Sequence, residues 1–290
     1  MTPGIHTIPA ALYHADPTDA PSLSNSIIKT LLTKSPHHAW LKHPRLNPQY
    51  QATEDSKFDL GSAAHSMLLE GIDKVQVIDA DDWRTKEAKA SRDRARSSGL
   101  IPMLHHQYSE ALMMVKVAQD YVARSMLGNI FMDGKPEQTL VWQEFNADNG
   151  RYDAGIWCRG RIDWLTTDHS IILDYKTTAI ANPGQWMRRS MTSLGYDTQS
   201  AFYKRGMKAI GRVVPDFVFL VQEDTAPYSC YLVRAAPTMQ ESGDRKVQEA
   251  IDKWSECLAT NTWPGYPETI HEADAPAWET VDEVEVGYVD

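Results

Sequence analysis

Three charged side chains pose the chemical question in this chain. Asp163 lies in the run IWCRGRIDWLTT (156–167), and Asp174 and Lys176 lie in SIILDYKTT (170–178). Both runs are rich in β-branched and aromatic residues, which predicts strands. Side chains two apart on a strand share a face, so Asp174 and Lys176 point together. By the same alternation Arg159, Arg161 and Asp163 share one face, and Cys158, Ile162 and Trp164 the other. The Asp168-His169 turn makes the two strands neighbours and lets Asp163 approach the Asp174/Lys176 pair. Two carboxylates about 4 Å apart repel by roughly 4 kcal/mol at an effective dielectric of 20, and each raises the other's pKa. A divalent cation between them removes the repulsion, and oxygen ligands select Mg²⁺ or Mn²⁺. Lys176 could then orient or deprotonate an attacking water, or stabilise charge developing on phosphorus. A bare D-x-K is also compatible with an ordinary hairpin carrying a surface salt bridge.

The elements around these residues narrow the choice. Residues 1–57 read as short helices joined by Pro-rich turns, with Ser24 as a cap for NSIIKTLLTK and Ser35-Pro36 as a second helix start. Phe58 to Glu70 has apolar residues at 60, 64, 67 and 68, a helical spacing that Gly71 stops. A Met-rich helix follows over 105–127. Three strands, 139–147, 156–167 and 170–178, form an antiparallel meander; a helix at 197–210, strands at 216–223 and 228–235, and a helix at 238–259 complete the order. The fold class is α/β (α+β): a central mixed sheet flanked by helices. Residues 1–57 form an N-terminal helical segment packed on the core, 58–265 the main domain and 266–290 an acidic C-terminal tail.

The whole set of motifs resembles the PDDEXK nuclease superfamily, with its restriction-endonuclease-like core. Asp163 followed by Asp174-Tyr175-Lys176 matches the signature, Gly61-Ser-Ala-Ala-His65 resembles the GxxxH motif of the RecB-type branch, and Gln199-Ser-Ala-Phe-Tyr203 its QxxxY motif. Within that branch, LSNSIIKTLLTKSPHHAW and DYKTT…YDTQSAFY are most similar to RecE-type exonucleases (exodeoxyribonuclease VIII), usually encoded by phages and prophages. The resemblance implies that Asp163 and Asp174 bind metal and that Lys176 is the catalytic lysine. It makes His65 a further ligand and lets the Tyr175 carbonyl supply another oxygen. Gln199 and Tyr203, an i, i+4 pair, would contact DNA or hold the lysine and water. Glu144 matches an acidic position often found on the first strand. It also implies a 5′–3′ exonuclease on double-stranded DNA with a free end, leaving 3′ single-stranded tails for recombination. A ring-shaped homo-oligomer and a single-strand annealing protein as partner go with that activity. A restriction-like or structure-specific endonuclease, or a silent DNA-binding subunit, is the alternative on the same fold.

Composition agrees with this reading. The 290 residues carry 29 Lys plus Arg against 39 Asp plus Glu, with 42% apolar residues, enough for a core and too few charges for disorder. Of the net charge of −10, the last 25 residues hold −8, so the body is near neutral. An acidic exterior with a basic lumen would suit a ring around DNA. The densest basic run, Arg84 to Arg96, is either a solvated helix face or a phosphate-tracking surface; Arg159 and Arg161 either meet phosphates or neutralise acids. Cys158, Cys230 and Cys257 fit neither a disulfide framework nor the spacing of iron–sulfur relatives, so no iron–sulfur cluster is expected. No apolar run is long enough for a membrane span, and MTPGIHTIPA lacks secretory-signal features, so a cytoplasmic protein is expected.

Overall fold

The computed structural model describes residues 1–51, 60–144, 155–180, 182–270 and 272–274. Along the chain run β1 (Gly4–His6), α1 (Ala10–His14), β2 (Leu23–Ser24), α2 (Asn25–Thr33), α3 (Pro36–Lys42), α4 (Leu60–Leu69), β3 (Val75–Ile78), α5 (Lys86–Ser97), β4 (Ile101–Leu104) and α6 (His105–Arg124). Then come β5 (Lys135–Glu144), β6 (Ile156–Leu165), β7 (Ile171–Thr178), α7 (Pro183–Ser193), α8 (Tyr196–Ala209), β8 (Asp216–Glu223), β9 (Cys230–Val233) and α9 (Pro237–Thr260).

Local chemistry starts several helices. Ser35 accepts from the His38 N–H with Pro36 in the first turn, and Asn182 does the same for Gln185 ahead of Pro183. Ser24 occupies the cap of α2 as expected, but its hydroxyl meets Ser26 rather than a backbone N–H. The β-rich run begins at Thr139 on composition, because Pro136 interrupts it; the strand itself begins at Lys135.

Among the described residues the main sheet runs β1-β5-β6-β7-β8-β9, with β2 also paired to β6. The β5–β6–β7 meander is antiparallel, as the short turns require, and β7 pairs in parallel with β8 after a crossover through α7 and α8. One face of the sheet buries Leu140, Trp142, Ile162 and Phe219 against Phe202, Ile251 and Trp254. The other buries Trp164, Leu173, Tyr175 and Leu220 against Ala64, Met67 and Met114. The N-terminal segment supplies strands as well as helices, since β1 pairs with β5 and β2 with β6. No helix among the described residues is long and apolar enough to cross a membrane.

Strict alternation fails at one point on β6. Cys158 and Ile162 lie in one core, but Trp164 lies in the other. The β5–β6 register pairs Pro136 with Trp164 and Gln138 with Ile162, which sets Glu137 opposite Asp163. Glu137 takes a left-handed φ of 54°, rare for a residue with a Cβ, and the ladder changes face there.

Candidate active site

The site forms where the sheet splits. β7 is paired with β8 from Ile171 to Thr178, but with β6 only at Trp164↔Leu173 and Leu165↔Ile172. β5 covers the other edge of β6, and β2 takes the far end of the split edge at Cys158 and Arg159. Between them β6 diverges from β7, and side chains replace the missing ladder. The Tyr203 hydroxyl accepts from the Arg161 N–H at 3.3 Å and donates to the Arg161 carbonyl at 3.0 Å. The Asp163 carboxylate accepts from the Tyr175 N–H at 3.0 Å. Gly160 makes room for this wedge: a Cβ there would sit 2.7 Å from the Tyr203 ring.

Four elements deliver charge into the fork. From α4, His65 Nε2 meets Asp163 Oδ2 at 3.0 Å. The helix reaches that close because Gly61 packs directly on Thr177 of β7, leaving no space for a Cβ. From β7, Asp174 is buried, with Lys176 Nζ against Oδ1 and Gln199 Nε2, from α8, at 2.6 Å from Oδ2. From β5, Glu137 offers an oxygen that lies, with His65 and Asp163 ligand atoms, in a group all within 4.8 Å of one another. The expected companions Asp163, Asp174, Lys176, His65, Gln199 and Tyr203 therefore gather at one fork. Tyr175 adjoins them through its backbone N–H and a ring stacked on His65, with centroids 5.9 Å apart.

The electrostatics follow from burial and neighbours. Burial pushes the Asp174 carboxyl up, aided by the charge of Asp163 and opposed by Lys176, to about 6. Asp163 feels the same burial, but His65, Lys176 and the Tyr175 N–H outweigh it and hold its pKa down. Burial opposes the charge on Lys176, yet Asp174 and Asp163 raise its pKa, so it is an ammonium at neutral pH. His65 is raised in the same way by Asp163 against the cost of burial. The donor set can hold a divalent cation: two carboxylate oxygens and one imidazole lie within 4.8 Å of one another.

Other expectations resolve differently. Glu144 is not at the fork: Arg205 grips both its oxygens at 2.9 Å and Trp142 Nε1 donates at 2.8 Å. It sits seven residues along β5 from the glutamate that reaches Asp163, namely Glu137, which composition leaves outside the strand. Neither Arg159 nor Arg161 presents to phosphates. Arg159 is buried against Asp16 at 2.9 Å, while Arg161 pairs with Glu137, and both guanidiniums lie over the Tyr13 ring. The basic run enters the exposed helix α5 at Lys86, anchored by buried Ala88 and Ala95; Arg84, ahead of the helix, pairs with Asp82 and Arg92 with Asp93. The start of the 139–147 strand's connecting turn and most of the acidic tail lie outside the described residues.

Residues 24–276 match a family described as a PDDEXK-like domain of unknown function, DUF3799. No curated protein matches. Among solved structures, a protein from Eubacterium rectale provisionally named an exonuclease superposes with a TM-score of 0.56, covering 91% of this chain and 97% of its own at 12% identity. That likeness concerns the fold alone. The protein SSO0001 is more distant, with a TM-score of 0.32 at 9% identity, covering 83% of this chain and 82% of its own.

Proposed function

The chain belongs to the PDDEXK-like DUF3799 family, and on that footing we propose that it is a metal-dependent deoxyribonuclease. The observation that carries the reading is the fork itself, where Asp163 with His65 faces Asp174 with Lys176 between diverging strands. A bound Mg²⁺ or Mn²⁺ would supply water activation and neutralise phosphate charge. Asp163 and Asp174 would hold it, with His65 beside them. Lys176, kept protonated by both aspartates, donates to the water or to a nonbridging oxygen; it is not a base in this state. Gln199 fixes the Asp174 carboxylate, so its free lone pairs keep one direction. Tyr203 holds the β6 backbone away from β7.

The substrate we assign is duplex DNA with a free end, digested 5′ to 3′ to leave 3′ single-stranded tails for recombination. The motif resemblance supports that polarity, a ring-shaped homo-oligomer and a single-strand annealing partner. The test is end-labelled linear duplex beside closed circular duplex, with Mg²⁺ and then with a chelator. Expected are mononucleotide release from linear DNA, intact circles and no reaction in chelator. Cleaved circles would make the protein an endonuclease. Undiminished Mg²⁺-dependent degradation by both Asp174→Ala and Lys176→Ala would overturn the site.

A further inference from the structure

Between α4, which carries His65, and α6, which packs against it, the chain inserts a separate unit. β3 and β4 pair in parallel as a two-stranded sheet apart from the main one, and α5 is their crossover. Met103 of β4 is buried in the same core as Ala64 and Met67 of α4 and Met114 of α6, which fixes the unit to the His65 helix. α5 itself is held only by small side chains, since Ala88 and Ala95 are its buried residues. At about 100° per residue, Lys86, Lys89, Arg92 and Arg96 fall within roughly a third of the helix circumference, along about 15 Å of axis. Lys86 and Lys89 are exposed, and no ion pair involves either among the described residues.

We propose that this face of α5 grips the sugar–phosphate backbone of the duplex substrate, with Lys86, Lys89 and Arg92 as the phosphate contacts. The inference rests on the nuclease reading for its substrate and adds a binding surface outside the fork. A helix face that only meets water interleaves its signs, because opposite charges three or four residues apart stabilise a helix and like charges destabilise it. Here Lys86 and Lys89, Lys89 and Arg92, and Arg92 and Arg96 are like-charged neighbours at those spacings. Asp93, the one acid on the stripe, is bonded to Arg92 at 2.9 Å. In a chain of net charge −10 such a stripe asks for a polyanion, and duplex DNA presents one negative charge per roughly 1.7 Å of its axis. A lipid surface fits less well, because the only apolar side chains on α5 are alanines and none can insert. Lysine and arginine heads on backbone phosphates carry no base readout, so the grip is independent of sequence.

The experiment is fluorescence anisotropy of a labelled linear duplex with the full chain in chelator, where cleavage does not interfere, from about 50 to 200 mM salt. Replacing both lysines, Lys86→Gln with Lys89→Gln, should flatten the log–log slope of affinity against salt by about 2. Binding at about 100 mM salt should weaken roughly tenfold, equally for unrelated sequences. Asp93→Asn should act in the opposite sense and tighten binding severalfold, because it releases Arg92 and removes the acid from the stripe. That gain is one a merely solvated face would not give, and it keeps the test decisive if the lysine variant does not fold. Unchanged slope and affinity in both variants overturn the grip, and the nuclease reading stands if the unaltered chain digests linear duplex with Mg²⁺. Phosphatidylserine vesicles that bind through the two lysines, with DNA binding unaltered, assign the stripe to a lipid surface and overturn it as well. An unaltered chain that holds no duplex in chelator overturns the grip, and one that also fails to digest it with Mg²⁺ overturns both.

Discussion

Asp16 and Asp174 are equally buried carboxylates with opposite fates. Asp16 accepts from the Ser22 N–H at 2.9 Å, the Ser22 hydroxyl at 2.6 Å and the Thr18 hydroxyl at 2.7 Å, with Arg159 at 2.9 Å and His43 at 3.3 Å. Burial alone would raise its pKa, but these donors and the arginine drive it far below the ordinary carboxylate range. Asp174 has a lysine and an amide, but also the repelling charge of Asp163, and is pushed up instead. The first cluster is complete without any ligand and ties the N-terminal segment to β6. The second leaves Asp174 beside another carboxylate, a repulsion that a bound cation would relieve. Burial by itself identifies neither; what separates the two is the charge beside the carboxylate, an arginine at Asp16 and a second carboxylate at Asp174.

The largest effect should come from the fork. Lys176→Ala and Asp174→Asn are each expected to lower the cleavage rate by roughly 10³-fold or more, measured on linear duplex under saturating Mg²⁺. Asp16→Ala should do the converse, costing about 3–5 kcal/mol in urea unfolding because Arg159 is left buried without its anion. A loss of activity without loss of stability at Asp16 would erase the contrast. Gly160→Ala should fall between, costing about 1–3 kcal/mol as the Tyr203 ring is displaced, with a drop in activity that Tyr203→Phe partly shares.

The contrast also has a pH signature. Asp174 has a folded pKa raised from 3.8 to about 6, so its contribution to stability is full below pH 3.8 and is lost as pH rises through 6. Asp174→Asn should therefore match the unaltered protein near the lower limit and become relatively more stable toward neutral pH. Asp16 works in the other direction: its depressed pKa gives stability above the ordinary carboxylate value that disappears in acid. Thermal melts across the range would show the two slopes, and a flat difference for Asp174→Asn would remove the electrostatic account of the fork. The smallest effect is expected at Glu144. Replacing it with Gln should weaken the hold on Arg205 and leave cleavage within about twofold, as for a site away from the chemistry.

The sequence made the aspartates and Lys176 legible because strand alternation and a short turn are local rules. His65, Gln199 and Tyr203 were legible because helical spacing, together with a family resemblance, sets them on faces. The split between β6 and β7 had no such signal, since a missing ladder is decided by what packs beside it; Gly160 within a strand was its one trace. Glu137 escaped because Pro136 obscures the start of β5, and register across two strands is a tertiary property. The roles of Arg159 and Arg161 depend on Tyr13 and Asp16, more than 140 residues away along the chain, which no periodicity connects.

Gly61 on Thr177 and the His65 ring on Tyr175 both fasten α4 to β7, while the His65 bond to Asp163 reaches across to β6. A side chain at position 61 that lifts α4 from Thr177 is therefore expected to loosen the 3.0 Å reach from His65 to Asp163 across the split.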